Sequence, residues 1–422
     1  LSSPLVHSRN VTTQVQLFTA CQFTCILAGW VNKTRNLGGM TFIDLRDRYG
    51  ITQITCDPSK MNFELPEIKS EYVLRVHGKV VARPESMINK EMITGEVELE
   101  PTKIEVLARC KELPFSVDHE NAVGEDMRLE YRYLDLRRKT MKDNTIMRHK
   151  LYMETMKFFD EKGFLHLETP TFIKNTPEGS REFVVPARFE PGKFFVLPQS
   201  PQQHKQMLMV AGFDKYYQMA RCYRDEDPRG DRQPEFTQVD FELSFVEQQD
   251  ILELMEEYCK LLAKKYYPNR PIKADPFPVL TWKEAMDTYG IDKPELRVEN
   301  VKLLELTDWA KKSEFSLFQN SACIKGMIVP KEMGRSELEK KYESFIKNKG
   351  SKALPWLCFT KSEGIKGSIA KFFSESALEE LKTLTGIQEG ETIFFQADTW
   401  LNACNYMGML RNEVIKELEL TK

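Results

Sequence analysis

The sequence has no long apolar run, no paired cysteines and only six histidines among 422 residues. No stretch approaches the ~20 apolar residues that a membrane-spanning helix needs, so we expect no membrane partner. The nine cysteines are odd in number and scattered, without a CxxC pair or a Cys/His ligand spacing. This usage indicates a reducing compartment and predicts no structural zinc or other metal site.

Common nucleotide-binding and nucleophile signatures are missing too. Neither GxxxxGK[ST] nor GxGxxG occurs, so no P-loop and no Rossmann phosphate site is predicted. No Ser/His/Asp arrangement stands out, which argues against a covalent nucleophile. Catalysis would then come from positioning the reactants and neutralising phosphate charge. The net charge of −3 excludes a uniformly basic surface but allows local basic patches that meet nucleic acid.

A charged stretch from Arg221 to Asp240 predicts a β-hairpin with a basic tip. Residues 216–224 and 236–245 are rich in aromatic, β-branched and long apolar side chains, and prolines and a glycine lie among the charges between them. The arginines of this stretch are Arg221, Arg224, Arg229 and Arg232. Exposed ion pairs contribute at most ~1 kcal/mol each, so stability does not explain such a loop. An anionic ligand explains it better.

The hairpin has the groups needed to hold a nucleoside triphosphate. Arg224 can make two charge-assisted bonds to a phosphate, and Glu226 projects from the same face of the strand, where it can accept from an exocyclic amino group. Phe236 is placed to stack on a purine. Asp240, further along the return strand, is placed to receive a cationic amine.

The first hundred residues predict a small barrel within a chain long enough for two or three domains. Five short strands between Phe23 and Ala108 suggest a Greek-key barrel of OB type. In the strand Thr41–Arg46 the period of two puts Phe42 on the polar face. There it either stacks a nucleic-acid base, worth roughly 1–3 kcal/mol, or is an edge aromatic covered by a loop, and the strand alone leaves both open.

Beyond the barrel, the pattern predicts a helix over 145–162 and a strand over 164–170, which form either a dimer interface or ordinary core. A second helix from Gln202 to Val210 can be capped by Ser200. Lys205 lies near its N-terminal end, which favours an anion such as an amino-acid carboxylate, although a plain surface lysine is the simpler interpretation. Residues 297 to about 403 mix strands and helices and predict a separate α/β module.

Four longer motifs carry a family resemblance. They are Tyr131–Arg137 (YRYLDLR), Thr176–Gly179 (TPEG), Leu197–Gln202 (LPQSPQ) and Asp231–Gln238 (DRQPEFTQ). With the helix and strand ending at Thr169-Pro170, and with the hairpin, in which Tyr223 stands where the family has phenylalanine, they resemble class II aminoacyl-tRNA synthetases. The resemblance is closest to aspartyl-tRNA synthetases of the bacterial and mitochondrial type, and it covers essentially the whole chain.

The resemblance implies a multidomain α+β protein. The implied parts are an OB-fold anticodon-binding barrel at 1–112, a hinge at 113–145, the first half of a class II catalytic domain with an antiparallel sheet and motifs 1 and 2 at 146–294, an inserted α/β module of GAD type at 295–404, and the start of a return to the catalytic domain at 405–422.

It also implies residue roles. The residues for ATP are Arg224, Glu226, Gln233 and Phe236; those for aspartate are Glu178, Gln202, Lys205, Arg224 and Asp240; those for the tRNA anticodon are Arg35, Phe42 and Gln53. Arg224 is the implied catalytic residue, because it would hold both the α-phosphate of ATP and the substrate carboxylate. Lys205 would meet the side-chain carboxylate of aspartate.

The implied reaction joins L-aspartate to ATP, releases pyrophosphate and passes the aspartyl group to tRNA(Asp), in a homodimer with Mg²⁺. No equivalent of motif 3 or of the carboxylates that hold Mg²⁺ is found in these 422 residues. We therefore expect the N-terminal two thirds of such an enzyme, catalytically incomplete by itself. Two alternatives remain open: a non-catalytic RNA-binding or regulatory paralogue, and an asparagine-forming relative in which Lys205 would lose its purpose.

The compartment is less sharply indicated. Residues 1–10 contain no acidic side chain, which suggests either the remnant of an organellar targeting region or a ragged terminus. With the resemblance, this favours the mitochondrial matrix, and the bacterial cytoplasm is the alternative.

Overall fold

The computed structural model describes residues 23–118, 123–176 and 178–421, and the chain divides into two compact units between Leu252 and Glu253. The suggested targeting region at residues 1–10 lies outside the described residues. The first unit holds every residue to which the sequence assigns a role in binding.

The first unit begins with the predicted barrel. Its strands are β1 (Thr24–Leu37), β2 (Met40–Arg46), β3 (Ile51–Cys56), β4 (Val73–Ala82) and β5 (Val97–Ala108). They close in the order β1-β2-β3-β5-β4, and a 3₁₀ turn (Glu85–Met87) lies between the last two. Ile43 and Leu45 are buried in the barrel core, while Phe42 faces the other way as the strand period requires. The OB-type fold is confirmed.

The chain leaves the barrel through two short helices, α1 (Glu125–Glu130) and α2 (Arg132–Asp135). The buried carboxylate of Glu71 joins this segment to the barrel, since its two oxygens accept hydrogen bonds from Arg46 at 2.6 Å and Arg137 at 2.8 Å. Glu71 has a left-handed backbone with φ of 62°, and its N–H donates to Val31 O at 2.7 Å. The pairings of Glu71 therefore link the barrel to the segment that leads into helix α3 (Lys139–Glu161).

The rest of the first unit is a helix, a small sheet and a hairpin. Its elements are α3 (Lys139–Glu161), β6 (Leu165–His166), β7 (Val184–Pro186), β8 (Phe194–Val196), α4 (Gln202–Val210), β9 (Lys215–Tyr223) and β10 (Glu235–Leu243). The predicted hairpin is confirmed, with β9 and β10 antiparallel in unbroken register.

One expectation for the sheet needs correction. The sheet order is β10-β9-β6, and β6 pairs with β9 in parallel, so the sheet is antiparallel only in part. The reason is that a crossover containing α4 connects the two strands and returns the chain in the same direction. The predicted strand over 164–170 is also shorter, because the N–H of Thr169 bonds to the side chain of Gln218 instead of to a strand.

Helix α5 (Gln248–Tyr266) contains Asp250 in its first turn, and the Asp250 carboxylate accepts from the N–H of Glu247 at 2.8 Å. The next helix, α6 (Trp282–Tyr289), has a capping box made by Thr281 and Glu284 and ends at Gly290, whose φ of 70° favours glycine.

The second unit contains the predicted α/β module. Its further elements are β11 (Leu303–Glu305), α7 (Thr307–Ala310), α8 (Ser316–Gln319), β12 (Cys323–Val329), α9 (Arg335–Glu337), a π-helical turn (Leu338–Glu343), α10 (Ser344–Lys347), β13 (Trp356–Thr360), β14 (Gly364–Gly367), a 3₁₀ turn (Ala370–Phe372), α11 (Glu375–Thr385), β15 (Glu391–Asp398) and α12 (Trp400–Glu417). The sheet order is β11-β12-β15-β13-β14, with apolar clusters on both faces.

Candidate nucleotide and amino-acid site

The hairpin register places the predicted substrate residues on one face. Side chains two apart on a strand share a face, so Phe236, Gln238 and Asp240 follow one another along β10. Across the pair, Cys222 lies opposite Phe236, and Gln218 lies opposite Asp240. This face of the hairpin is the floor of the candidate site.

At the tip of the hairpin a cavity of about 810 Å³ is lined by all four residues predicted to hold ATP: Arg224, Glu226, Gln233 and Phe236. The guanidinium carbon of Arg224 lies 5.1 Å from the centroid of the Phe236 ring, a cation–π contact. Its Nε has no hydrogen-bond partner, and no carboxylate of the described chain forms an ion pair with it. This cation is therefore available to a phosphate.

Further down the hairpin, Lys205 of α4 reaches Asp240. Its Nζ lies 2.8 Å from Asp240 Oδ1 and 3.3 Å from Glu242 Oε2, with the lysine side chain 11% exposed and that of Asp240 8% exposed. Burial by itself lowers the pKa of Lys205, but hydrogen bonds and charge from Asp240 and Glu242 outweigh it and raise that pKa. Lys205 is therefore a cation, and it is not a plain surface lysine.

One oxygen of this pocket has no hydrogen bond of ordinary length. Asp240 Oδ2 is buried and accepts none from the described residues, although the hydroxyl of Tyr216, which donates to Gln218 Oε1 at 2.9 Å, lies close to this carboxylate. The pKa of Tyr216 is raised by burial and by the charge of Asp240. An unsatisfied buried acceptor costs ~1–3 kcal/mol, and more when it is charged. A cationic donor supplied by a ligand would remove that cost.

Glu178 and Gln202 form a second cluster, at the start of α4. The hydroxyl of Ser200 donates to Glu178 Oε2 at 2.7 Å and accepts from the N–H of Gln202 at 3.0 Å. The buried side chain of Gln199 also donates to Ser180 O at 3.0 Å, which fastens the loop that carries Glu178. In the described part of the chain no hydrogen bond joins this cluster to Lys205 and Asp240.

The three residues predicted to contact the anticodon meet in the barrel. Arg35, Phe42 and Gln53 all line a cavity of about 340 Å³. Arg35 Nη2 donates to Asp44 Oδ1 at 2.7 Å and to Gln53 Oε1 at 3.2 Å, while Gln53 Nε2 donates to Glu98 at 2.9 Å. Burial raises the pKa of Asp44, an effect that the charge of Arg35 partly opposes. The Phe42 ring thus lies in the same small cavity as a hydrogen-bonded polar network.

Sequence reasoning missed several residues of the candidate site. Arg148 of α3 lines the tip cavity and donates to Thr237 Oγ1 at 3.0 Å. Gln238 and Cys222 lie on the substrate face, and the cysteine thiol is 3.2 Å from Gln238 Oε1. The period of two could have identified Gln238, because Phe236 and Asp240 were already assigned. No pattern in the sequence singles out Arg148.

Within the described ranges, no group of three or more His, Cys, Asp or Glu side chains could hold a metal ion. The described residues therefore do not fit the Mg²⁺ that the resemblance implies. Within the same ranges, no helix is long and apolar enough to cross a membrane.

Three protein families match the chain. They are "tRNA synthetases class II (D, K and N)" over residues 124–358, "OB-fold nucleic acid binding domain" over 25–107 and "GAD domain" over 316–407. The "Aspartate–tRNA ligase" of Macrococcus caseolyticus is 44% identical over 406 residues, covering 94% of this chain and 68% of that protein. The chain belongs to the aspartate–tRNA ligase family. It is therefore an aminoacyl-tRNA synthetase by family, whose partners are ATP, aspartate and tRNA.

Other aspartate–tRNA ligase relatives and solved structures agree. The "Aspartate–tRNA(Asp/Asn) ligase" of Treponema denticola is 43% identical over 407 residues, covering 94% of this chain and 68% of that protein. The asparaginyl-tRNA synthetase of Pyrococcus horikoshii, solved with asparaginyl-adenylate, matches with a TM-score of 0.55 and 15% identity over 93% of both chains. A putative aspartyl-tRNA synthetase of Leishmania major matches with a TM-score of 0.51 and 22% identity, over 62% of this chain and 55% of that one. At these identities the two structures show the fold alone.

Proposed function

We propose that this aspartate–tRNA ligase binds ATP at the tip of the β9–β10 hairpin and L-aspartate between α4 and β10, and joins them as aspartyl-adenylate for transfer to tRNA(Asp). In this proposal Arg224, Glu226, Gln233 and Phe236 hold ATP, and Glu178, Gln202, Lys205, Arg224 and Asp240 hold aspartate. Arg224 belongs to both sets because it lies where the two substrates meet.

The observation that carries the proposal is the unpartnered oxygen of Asp240 beside the buried Lys205. An ammonium has three N–H groups, and Asp240 and Glu242 take two of those of Lys205. The third is left for a carboxylate, and Asp240 Oδ2 is left for an ammonium. L-aspartate carries both groups, whereas the neutral amide of asparagine cannot supply the second negative charge.

The reaction then needs little beyond placement. An oxygen of the α-carboxylate of aspartate attacks the α-phosphorus of ATP, the new C–O–P bond forms, and the bond to pyrophosphate breaks. Arg224 neutralises charge on the phosphate and on the attacking carboxylate, while Phe236 fixes the base. Holding both substrates in attack geometry contributes through orientation, and the fixed guanidinium contributes through electrostatics.

In this proposal the barrel binds the anticodon of the tRNA. Arg35, Phe42 and Gln53 supply a cation, a ring and an amide around one cavity, which is the combination that binds an unstacked base and its phosphate. We assign these three residues to the anticodon of tRNA(Asp).

A homodimer is also part of the proposal. Strand β8 and the segment that follows β6 expose large apolar side chains, with Phe194 57% exposed and Phe172 61% exposed, and such surfaces are typical of interfaces. Sedimentation of the wild type and of Phe194→Glu tests this: a dimer that Phe194→Glu separates supports it, and a monomeric wild type refutes it.

For the compartment we propose the mitochondrial matrix, on the absence of acidic residues in 1–10. The relatives reported above are bacterial, which favours the bacterial cytoplasm as the alternative. Fractionation of cells that make the protein from its own gene distinguishes these locations.

Equilibrium binding tests the substrate assignment without requiring turnover. Titration calorimetry should show saturable binding of ATP, and binding of L-aspartate that is at least ~10-fold tighter than that of L-asparagine, because one charge-assisted hydrogen bond is lost. Arg224→Ala should weaken ATP binding. The control is Arg188→Ala, on the turn before β8, which should leave ATP binding unchanged. Equal affinity for the two amino acids would refute the pocket assignment.

A further inference from the structure

Strand β10 carries one more polar side chain on the substrate face, between two residues that already have roles. We propose that the Gln238 amide nitrogen binds the oxygen of the aspartate α-carboxylate that becomes the carbonyl oxygen of aspartyl-adenylate, and that the Cys222 thiol holds the amide in this orientation. The inference rests on the proposed function of the hairpin and adds a substrate contact to it.

The order of residues along the strand supports the position. Same-face neighbours on a strand are ~6.8 Å apart, so Gln238 lies about midway along the ~13.6 Å between Phe236 and Asp240. The adenine stacks at one end of this line and the ammonium binds at the other. In aspartyl-adenylate the acyl carbon and the α-phosphate lie between base and ammonium. Gln238 is therefore the β10 side chain nearest to the reacting atoms.

The orientation of the amide follows from its one described partner. The Cys222 thiol is 3.2 Å from Gln238 Oε1 and 3.8 Å from Ala220 O, so its single proton favours the amide oxygen. Burial, reinforced by the charge of Asp240, raises the pKa of Cys222 to about 11. The thiol is thus protonated near neutral pH and can donate. The amide oxygen is occupied, and the nitrogen end faces away from Cys222.

The nitrogen itself is free for a ligand. No described residue accepts a hydrogen bond from Gln238 Nε2, and the side chain is only half-buried. An amide N–H is a donor without charge, so it can bind a carboxylate oxygen without competing with Arg224 for the phosphate.

The contact is useful in both half-reactions. During activation one carboxylate oxygen attacks phosphorus, and Gln238 holds the other, which fixes the attacking lone pair. During transfer the ribose hydroxyl of tRNA attacks the acyl carbon and its proton passes to a phosphate oxygen of the leaving AMP. Negative charge builds on the carbonyl oxygen, and the bond to AMP breaks as the C–O–P oxygen leaves. A donor fixed at the carbonyl oxygen stabilises that charge.

The test uses two adenylate analogues and the whole chain. One probe is aspartyl-sulfamoyl-adenosine, and its match has a CH₂ group in place of the acyl carbonyl. Gln238→Met, which keeps the side-chain length but lacks the donor, should bind the carbonyl probe about 3- to 10-fold more weakly than wild type and the CH₂ probe equally well. Equal losses for both probes, or no loss, would overturn the contact.

Two cysteine variants test the orienting role. Cys222→Ala releases the amide and should lose part of the affinity for the carbonyl probe alone, whereas Cys222→Ser keeps a donor and should restore it. If serine and alanine behave alike, the orienting role is wrong. Urea unfolding verifies that each variant is folded, and Cys56→Ala in the barrel is the matched control, expected to leave both affinities unchanged. A wild type that binds neither probe would refute the proposed function, and the inference with it.

Discussion

The sharpest test of the amino-acid pocket is Lys205→Met, which keeps the length of the side chain and removes its charge. In the wild type this ammonium is shared by Asp240 at 2.8 Å and Glu242 at 3.3 Å, and its side chain is 11% exposed. Removing one member of a buried pair leaves a charge uncompensated, which costs ~3–5 kcal/mol when burial is complete. Because Glu242 remains 27% exposed, we expect the lower part of that range, about 3 kcal/mol.

The effect on binding is separate from the effect on stability. The spare N–H of Lys205 is a charged donor, and such a bond is worth ~1.5–3 kcal/mol, so aspartate affinity should fall about 10- to 150-fold. Urea unfolding measures the loss of stability, and calorimetric titration with L-aspartate measures the loss of affinity. Lys193→Met is the control, because its partner Glu190 is on the surface and the lysine side chain is 73% exposed.

A double variant separates the two effects. Lys205→Met combined with Asp240→Asn removes both charges, so the free energy of unfolding should recover part of what Lys205→Met loses. Aspartate affinity should not recover, because both groups that hold the substrate are gone. Wild-type affinity for aspartate in Lys205→Met would refute the reasoning, whatever happens to stability.

Three further predictions concern other parts of the first unit. Arg224→Ala should weaken ATP binding by at least ~10-fold in calorimetry, because a charge-assisted hydrogen bond to phosphate is lost. An unchanged affinity for ATP would contradict the hairpin assignment. Phe42→Ala should weaken binding of the isolated anticodon stem-loop by about 5- to 150-fold, with little change in the salt dependence of binding, because stacking carries no charge. A changed salt dependence would indicate a phosphate contact instead. Burial raises the pKa of Cys25 to about 11 and that of Cys56 to about 12, so these thiols contribute stability that is complete below pH ~9 and is lost as pH rises through the folded values. Urea unfolding at successive alkaline pH values should show this fall, and Cys56→Ala should reduce it.

Much of the fold follows from local pattern. The hairpin strands begin and end within two residues of their predicted limits, because aromatic and β-branched alternation is strong there and the turn residues are clear. Strand β6 was harder: its parallel pairing depends on a distant crossover, which no local period records. In the second unit the helical region around residue 340 contains a π-helical turn at Leu338–Glu343, where Leu338 and Tyr342 pack into the core, and no local period predicts it.

Some residues of the candidate site could be found from the sequence, and others could be found only in the folded chain. Arg224 and Asp240 could be found because their charges stand out at the end of one hairpin strand and within the other. The contact of Ser200 with Glu178 joins two loops 22 residues apart and could only be seen in the folded chain. Cys222 looked like an ordinary apolar strand residue, since its meaning comes from a diagonal neighbour on the partner strand. Interactions across strands and loops are where sequence patterns stop being informative.

The contacts of Glu71 limit how far the barrel can move relative to the segment that follows it. One carboxylate neutralises Arg46 of the barrel and Arg137 of the segment that enters the catalytic sheet, and Arg137 also stacks on Trp30 at 5.1 Å. If the barrel swivelled away from this segment, one of the two arginines would lose its counter-ion in a largely dry place. The shared anion therefore resists rotation of the barrel relative to the segment that contains Arg137.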